Sequence, residues 1–186
     1  RSGKACRFPE AKVRPMGRTA GGVRGIRLDE EIKDDEAIGM ICVNSPEQTV
    51  LVVSEKGYGK RTPVDEYRIT NRGGKGVRTI NITDKTGKLI AIRDVTDKDD
   101  LMIITTNGIT IRMSVSGLRE MGRATQGVRV INLSEGDEIA AVAKVDVEAQ
   151  EQSVETTLPP SVEASNGTTD AGDADDEAEE EPTEEK

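Results

Sequence analysis

The chain has 186 residues, with one phenylalanine, two tyrosines and no histidine or tryptophan. So few aromatic residues argue against binding of single strands by base stacking, and they require a core of Val, Ile, Leu and Met. The formal net charge is −9, but residues 147–186 hold 14 acids against one lysine, so the preceding part is weakly basic and can present a local phosphate-binding surface.

The chain opens inside a predicted hairpin. Residues 2–7 match residues 56–61 further along, but the apolar strand that should precede such a hairpin is absent. We therefore expect a piece of a longer repeat array. Because each repeat of an array buries its face against a neighbour, we also expect an open edge strand.

Two further repeats show short apolar strands bounded by Gly, Asn and Asp, a pattern typical of an all-β fold. Strands are predicted in the second repeat at 50–54, 60–64, 77–82 and 89–95. Strands are predicted in the third repeat at 101–105, 109–112, 128–133 and 138–145. Asn107-Gly108 is a strong hairpin signal. Residues 64–67 and 115–121 are interpreted either as a short helical turn or as an irregular connection.

These boundaries divide the chain into four parts. They are a partial blade at 1–48, a blade at 49–98, a terminal blade at 99–147 and a tail at 148–186. A period of roughly 50 residues is the length of a four-stranded propeller-like blade. The tail consists mainly of acidic, small and proline residues, so it cannot bury enough surface to offset its ordering entropy and is expected to be a disordered acidic tail.

One phrase recurs in all three repeats and carries its cations at the same places. Its pattern is R-x-x-x-G-V-R-x-[IV]-x-[LI], and its copies are separated by steps of 54 and 51 residues. A further arginine lies eleven positions before each copy. The recurring arginines are Arg7, Arg18 and Arg24, then Arg61, Arg72 and Arg78, then Arg112, Arg123 and Arg129.

The shared glycine of the phrase precedes a strand, where a tight turn is expected to need a positive φ. Any one arginine could simply pair with a local carboxylate, for which Asp65, Glu66 and Glu120 are candidates. Three sets at matching positions favour a different interpretation. A DNA backbone that crosses successive repeats would meet the same cation on each one.

The second copy contains the richest loop, in which three glycines alternate with two cations. Exposed backbone amides beside positive charge suit phosphate. It is not a nucleotide-binding P-loop, because the pattern G-x-x-x-x-G-K-[ST] is not satisfied and no helix is expected to follow. The candidate DNA contacts in this loop are Arg72, Gly73, Gly74, Lys75 and Gly76.

Other kinds of site have little support in the sequence. The lack of histidine, of metal-ligand clusters and of a nucleophile beside a base argues against a catalytic or metal site. Cys6 and Cys42 lie outside any C-x-x-C motif and are expected to be small, buried and reduced. No apolar run is long enough for a membrane span, and the first residues lack the apolar run of a secretory signal.

Three segments together resemble the C-terminal DNA-wrapping domain found in the A subunit of bacterial DNA gyrase: residues 57–62, 72–77 and 123–128. The resemblance covers residues 2–147, and the acidic tail fits the C-terminal extension of that family. It implies a partial β-pinwheel, in which propeller-like blades exchange their outer strands. The family's signature box, Q-R-R-G-G-K-G, is retained here only in its last five positions, so we expect a late blade with the principal box upstream.

The resemblance also implies a function and partners. Double-stranded DNA would wind around the basic rim with positive handedness, and a type II topoisomerase core would pass strands to introduce negative supercoils. The other partners would be the rest of the A subunit and the ATPase B subunit. ATP and Mg²⁺ would act elsewhere in the parent enzyme, and this part would be non-catalytic and without a cofactor. The location would be the bacterial cytoplasm, at the nucleoid.

The repeated cations indicate an electrostatic mechanism, in which phosphate neutralisation releases counterions and binding is weakened by salt. Two alternatives stay open: a propeller that binds protein partners, and the related domain in the A subunit of topoisomerase IV, which steers substrate choice with less wrapping. The tail either competes with DNA for the basic rim or only keeps the chain soluble.

Overall fold

The computed structural model describes residues 1–145, and the predicted tail at 148–186 lies outside them. The described residues form an all-β structure, as predicted, with 3-10 turns at Glu10–Lys12, Val64–Glu66 and Val115–Gly117. Its strands are β1 (Lys4–Ala5), β2 (Thr49–Ser54), β3 (Tyr58–Pro63), β4 (Val77–Arg78), β5 (Leu89–Val95), β6 (Asp100–Thr105), β7 (Thr110–Ser114), β8 (Val128–Arg129) and β9 (Ile139–Val145). No helix within residues 1–145 is long and apolar enough to cross a membrane.

The second and third repeats are each built on an antiparallel hairpin. β2 pairs with β3 and, on its other side, with β5. β6 lies in the same way between β7 and β9. Gly57 and Gly108 occupy the hairpin turns with φ of +80° and +83°. The predicted hairpins and final strands of both repeats are therefore confirmed.

In two of the three sheets, an outer strand comes from the following repeat, whereas the sheet β7-β6-β9 is built from the third repeat alone. The largest sheet has the order β5-β2-β3-β8, and β8 belongs to the third repeat. In the same way β4 of the second repeat pairs with β1 of the first, with Arg78 opposite Lys4. This exchange of outer strands is the feature that the β-pinwheel resemblance implies. Two of the sheets therefore combine strands from two successive repeats.

The exchanged strands are much shorter than the sequence predicts. Strands were expected at 77–82 and 128–133, but they end at Arg78 and Arg129. The reason is the hairpin turn of the preceding repeat. Thr79 N donates to Gly3 O at 2.8 Å, and Val130 N donates to Gly57 O at 2.8 Å. Once the partner chain turns at these glycines, there is no further strand to pair with.

β2 is buried on both faces, which places it between two cores. Val50 and Val52 pack in one cluster with Tyr67 and Ile80, on the side of the first repeat. The alternate residues Leu51 and Val53 pack in a second cluster, on the side of the third repeat, whose members include Leu101, Ile103 and Val142. A strand that is apolar at every position is the expected result when neighbours cover both faces.

In the first two repeats, an arginine joins the hairpin to the 3-10 turn of the next repeat. Arg61 is only 3% exposed, and its guanidinium also forms a salt bridge of 2.6 Å with Asp97. Arg7 holds the equivalent position in the first repeat. Arg7 donates to Val64 O at 2.9 Å and Tyr67 O at 3.1 Å, and Arg61 donates to Val115 O at 3.2 Å and Leu118 O at 3.4 Å. We call this repeated contact the arginine bracket.

Lys60 is a buried cation beside Arg61. Its side chain is completely buried, and its Nζ donates to Gly122 O at 2.6 Å and to Thr125 Oγ1 at 3.1 Å. Burial lowers the pKa of Lys60 to about 8, Glu66 opposes this shift, and the positive charge of Arg123 adds to it. Lys60 therefore fastens the start of the third arginine loop at an electrostatic cost.

The cysteines are free thiols, but the expectation that both are buried is wrong. Cys6 is half-buried, with its Sγ 3.4 Å from Thr70 Oγ1, and Cys42 is exposed. Cys42 lies in the apolar segment 37–43, which forms no strand in the structure and exposes 81% of Met40. Without a paired strand to cover it, this segment leaves its thiol at the surface.

Replacement of Arg61 tests the arginine bracket. We expect Arg61→Leu to lower the free energy of unfolding by about 2–4 kcal/mol, because it leaves two carbonyls of the next repeat without donors. Urea denaturation followed by circular dichroism measures this change.

Arg112→Leu is the matched control, since Arg112 lies eleven residues before its own copy of the phrase but is exposed and paired with Asp100. Its effect should stay below about 1 kcal/mol, as for a surface ion pair. Equal effects of the two substitutions would contradict the bracket.

The pH dependence of stability tests the burial of Lys60. Between its folded pKa of about 8 and its ordinary value of 10.5, the unfolded chain binds more protons than the folded chain. The contribution of Lys60 to stability therefore rises as the pH rises through this window. Relative to a Lys60→Met variant, the native chain should gain free energy of unfolding from pH 8 to pH 10. A difference that does not vary with pH would refute this assignment.

Candidate nucleic-acid interface

Three arginine loops follow the hairpins, at residues 18–24, 72–78 and 123–129. The glycine of each phrase, Gly22, Gly76 or Gly127, has a φ of +77°, +75° or +83°, as predicted. At two of them a side chain is also excluded by the preceding hairpin. A Cβ would lie 2.6 Å from Ala5 O at Gly76 and 2.6 Å from Gly59 O at Gly127. Gly76 and Gly127 thus let the second and third loops pass close over the hairpin before them, whereas a Cβ at Gly22 would meet no atom within 4 Å.

The leading arginine of a loop donates to the backbone of the loop before it. Arg72 Nη1 lies 3.4 Å from Arg24 O, and its Nε donates to Lys12 O at 3.0 Å. Arg123 Nη1 donates to Arg78 O at 3.2 Å, which is the equivalent contact one repeat later. These guanidinium groups therefore hold successive loops side by side, while most of their donors remain unused.

Backbone hydrogen bonds repeat the same connection. Arg27 N donates to Gly74 O at 2.9 Å, and Asn81 N donates to Thr125 O at 3.1 Å. Gly73 N donates to Gly25 O at 2.7 Å, so this amide is committed to the first loop. The interpretation of the second loop as a set of open amides does not hold for Gly73. The cations of the loop are better placed than this amide to meet an anion.

The loop cations form no salt bridge within residues 1–145, although Lys75 lies close enough to Asp29 to help lower the pKa of that carboxyl, after the larger effect of Lys4. Arg24, Lys75 and Arg78 are exposed. The suggested partner Glu120 pairs with Arg61 instead, at 3.4 Å. Within residues 1–145 the salt bridges belong to Arg1, Lys4, Arg61, Arg112 and Lys144. None of these lies in an arginine loop, and the exposed Arg18 is likewise outside the set.

Arg129 differs from its counterparts because it has side-chain partners. Its guanidinium donates to Asn132 Oδ1 at 3.3 Å and to Tyr58 Oη at 3.4 Å. It also lies over the Tyr58 ring, 5.6 Å from the centroid. Cationic hydrogen bonds from Arg129 and Lys85 lower the pKa of Tyr58. In the third loop, the arginine that follows the glycine is therefore held in place by side-chain contacts, unlike Arg24 and Arg78.

The arginines that precede each phrase by eleven residues are separate from this surface. Arg7 and Arg61 form the arginine brackets, and Arg61 is buried. Arg112 is exposed, with its Nε 2.7 Å from Asp100 Oδ2. Their placement supports an architectural role, and DNA contact by these three remains a prediction without geometric support.

One set of cations was missed in the sequence although it has the same period. Arg14, Arg68 and Arg119 lie four residues before the leading arginines, again in steps of 54 and 51, and all three are exposed. The repeated phrase therefore extends to R-x-x-x-R-x-x-x-G-V-R. The register of the repeats was enough to find them. They add a second row of guanidinium groups just before the loops.

Proteins of known family match this chain in sequence. A family model described as the DNA gyrase C-terminal domain, beta-propeller, matches residues 1–44, 48–96 and 99–146. The A subunit of DNA gyrase from Staphylococcus aureus strain NCTC 8325 / PS 47 is 45% identical over 164 residues, 87% of this chain and 18% of the relative. Its counterpart from strain MRSA252 is 47% identical over 148 residues, 78% of this chain and 16% of the relative. The chain thus spans less than a fifth of these curated relatives.

Solved structures share the fold. The C-terminal domain of DNA gyrase A superposes with a TM-score of 0.63 and 25% identity, covering 77% of this chain and 47% of that one. The C-terminal domain of DNA topoisomerase IV gives a TM-score of 0.74 at 22% identity, covering 83% and 49%. The second likeness concerns the fold alone. From the family match over all three repeats, the chain belongs to the DNA gyrase C-terminal β-propeller family.

Proposed function

We propose that this chain binds duplex DNA and holds it bent around the surface of the three arginine loops. The observation that carries the proposal is the arrangement of the loop cations. They occupy equivalent positions in successive repeats, their loops are hydrogen-bonded to one another, and within residues 1–145 none of them forms a salt bridge with an acid. A polyanion that crosses the repeats meets the same donors at each step.

The energy balance explains why several repeats are needed. Smooth bending of duplex DNA costs on the order of 1–6 kcal/mol over 20–30 base pairs. Each neutralised phosphate releases counterions and favours binding without regard to sequence. Loops held side by side supply these contacts in series, so that no single loop has to offset the bending energy. Binding of this kind depends on phosphates and not on base edges.

The parent protein is proposed to be DNA gyrase, because the relatives at 45–47% identity are named as its A subunit. Wrapping would then support negative supercoiling by the complete enzyme, with the remainder of the A subunit and the ATPase B subunit as partners in the bacterial cytoplasm. Topoisomerase IV is the alternative parent. A sign-specific supercoiling assay on the complete enzyme distinguishes the two, since only wrapping with positive handedness yields negative supercoils.

Neutralisation of the free loop cations tests DNA binding. The triple variant Arg24→Gln/Lys75→Gln/Arg78→Gln removes three exposed charges. If each charge meets a phosphate, the slope of log K against log salt should become shallower by about 2 to 3, because each contact contributes about 0.9. Fluorescence anisotropy with a labelled duplex over a range of salt concentrations measures the slope.

The triple variant Lys33→Gln/Lys98→Gln/Lys144→Gln is the control, since it removes the same charge outside the arginine loops. Its slope should stay close to that of the native chain. An equal change in both variants would show that only net charge matters. Failure of the native chain to bind duplex at low salt would reject the proposal and favour a protein-binding propeller.

The negative charge of the acidic tail is expected to weaken DNA binding. Fourteen acids tethered to the repeats are present at high effective concentration and would compete with DNA for the loop cations. A chain ending at residue 147 should therefore bind duplex more tightly at low salt, and the gain should disappear as salt screens the tail. The same anisotropy titration measures it. Unchanged affinity at low salt would discard competition and leave the tail a solubilising role.

A further inference from the structure

A cavity of about 290 Å³ lies where the second and third repeats meet, at the end of the third arginine loop. One wall carries Lys56, Tyr58 and Lys85 from turns of the second repeat. Arg129, which β8 brings into the same sheet, completes the cationic side. Because Arg129 also belongs to the third arginine loop, the cavity is continuous with the proposed DNA surface.

Tyr58 fixes two of these cations. Its side chain is nearly buried, with the residue 8% exposed. The ammonium of Lys85 and the guanidinium of Arg129 each lie 5.6 Å from the centroid of its ring. Cation–π attraction and the hydrogen bond from Arg129 Nη2 to Tyr58 Oη hold both charges at one place. The phenol is therefore a platform that brings a lysine and an arginine together.

The donors of this group match an oxyanion. Tyr58 Oη accepts from Arg129, and no acceptor for its own proton lies within residues 1–145. Lys85, Arg129 and the Tyr58 hydroxyl thus offer three kinds of donor to an acceptor-only ligand. Lys56 has a different role, since its Nζ donates to Asp84 O at 2.6 Å and so fixes the turn that carries Lys85.

The acids of the cavity lie on the opposite, third-repeat turn. Asp137 is buried, and its Oδ1 accepts from Thr106 Oγ1 at 2.8 Å, Asn107 N at 3.1 Å and Glu138 N at 2.9 Å. Although burial opposes ionisation, these hydrogen bonds lower the pKa of Asp137, so this wall stays negative. Asp137 and Glu138 repel an anion, so a phosphate can bind only on the cationic side of the cavity, next to Tyr58.

We propose that this cavity receives a phosphate group of the duplex DNA backbone, held by Lys85, Arg129 and the hydroxyl of Tyr58. The inference rests on the proposed function, and it extends the binding surface from the arginine loops into the crevice between two repeats. It also assigns a ligand contact to Tyr58 and Lys85, which the recurring phrase does not include.

The corresponding place between the first and second repeats lacks this arrangement. Lys4 occupies the position equivalent to Tyr58. It lies opposite Arg78, as Tyr58 lies opposite Arg129. Its Nζ lies 2.6 Å from Asp29 Oδ2, so this cation is already neutralised, and no ring is present to gather charges. The site is thus specific to one junction of the array, where it would fix the position of DNA along the repeats.

Substitution at the cavity tests the inference in the complete chain. Lys85→Gln should make the salt slope of duplex binding shallower by about 0.9, the value for one phosphate. Tyr58→Phe keeps the ring but removes the hydroxyl, and should weaken binding about fivefold, as for one hydrogen bond. Lys33→Gln, a lysine outside the cavity, is the control and should change neither quantity. Unchanged binding in both cavity variants, with tight binding by the native chain, would overturn the inference and leave the proposed function intact.

A spectroscopic readout separates a phosphate contact from a loss of net charge. The chain has two tyrosines, and Tyr67 is buried in the core, so it serves as an internal reference. With ¹³Cζ-labelled tyrosine, addition of a short duplex should move the NMR signal of Tyr58 and leave that of Tyr67 in place. A shift produced by inorganic phosphate but not by DNA would overturn the inference in favour of a small-anion site. If the native chain binds no duplex at low salt, the proposed function is rejected, and the proposal of a DNA phosphate in the cavity is rejected with it.

Discussion

The structure depends on a constraint that no single repeat can satisfy. At each of the two repeat boundaries within residues 1–145, a hairpin leaves an edge without a partner and the following 3-10 turn leaves carbonyls without donors, and both are completed by the neighbouring repeat. The two-residue strands β4 and β8 fill the edges, and Arg7 and Arg61 supply the donors. Since unpaired buried carbonyls are costly, this contact fixes the relative placement of neighbours as firmly as the apolar core does.

The functional surface is a consequence of the same constraint. Because the exchanged strand directly follows the arginine loop, its pairing sets each loop over the preceding hairpin. The leading arginines and the loop backbones then join one loop to the next. Cations that are distant in sequence are thereby brought into successive, connected loops. Stability and proposed DNA binding are therefore served by adjacent residues of one phrase.

The sequence predicts the repeating part of this arrangement well. The hairpins, the final strands and the positive φ of the shared glycine follow from local patterns, since turns and alternation report on nearest neighbours. The lengths of β4 and β8 do not, because they are set by where the partner hairpin turns. The roles of Arg7 and Arg61 were equally hidden. A periodic arginine that satisfies a neighbour's backbone has the same spacing as one that faces solvent.

In the candidate site, the residues that recur in every repeat can be found from the sequence, whereas those at a single boundary cannot. Arg14, Arg68 and Arg119 have the same register as the phrase and could have been found by extending it. The cavity around Tyr58 could not, because it exists at one junction only and joins turns separated by more than forty residues. Sequence periodicity reveals what all repeats share, whereas a feature of a single boundary can be recognised only in the three-dimensional structure.

The exchanged strand also bears on how such arrays change in evolution. The second and third repeats each lend a two-residue strand to the same place in the preceding repeat, so the two boundaries within residues 1–145 have equivalent partners. Duplication or loss of one whole unit leaves each surviving boundary with an equivalent partner. The number of blades can therefore change by recombination within a gene. A break inside a unit would instead leave an exchanged strand without its pairing partner.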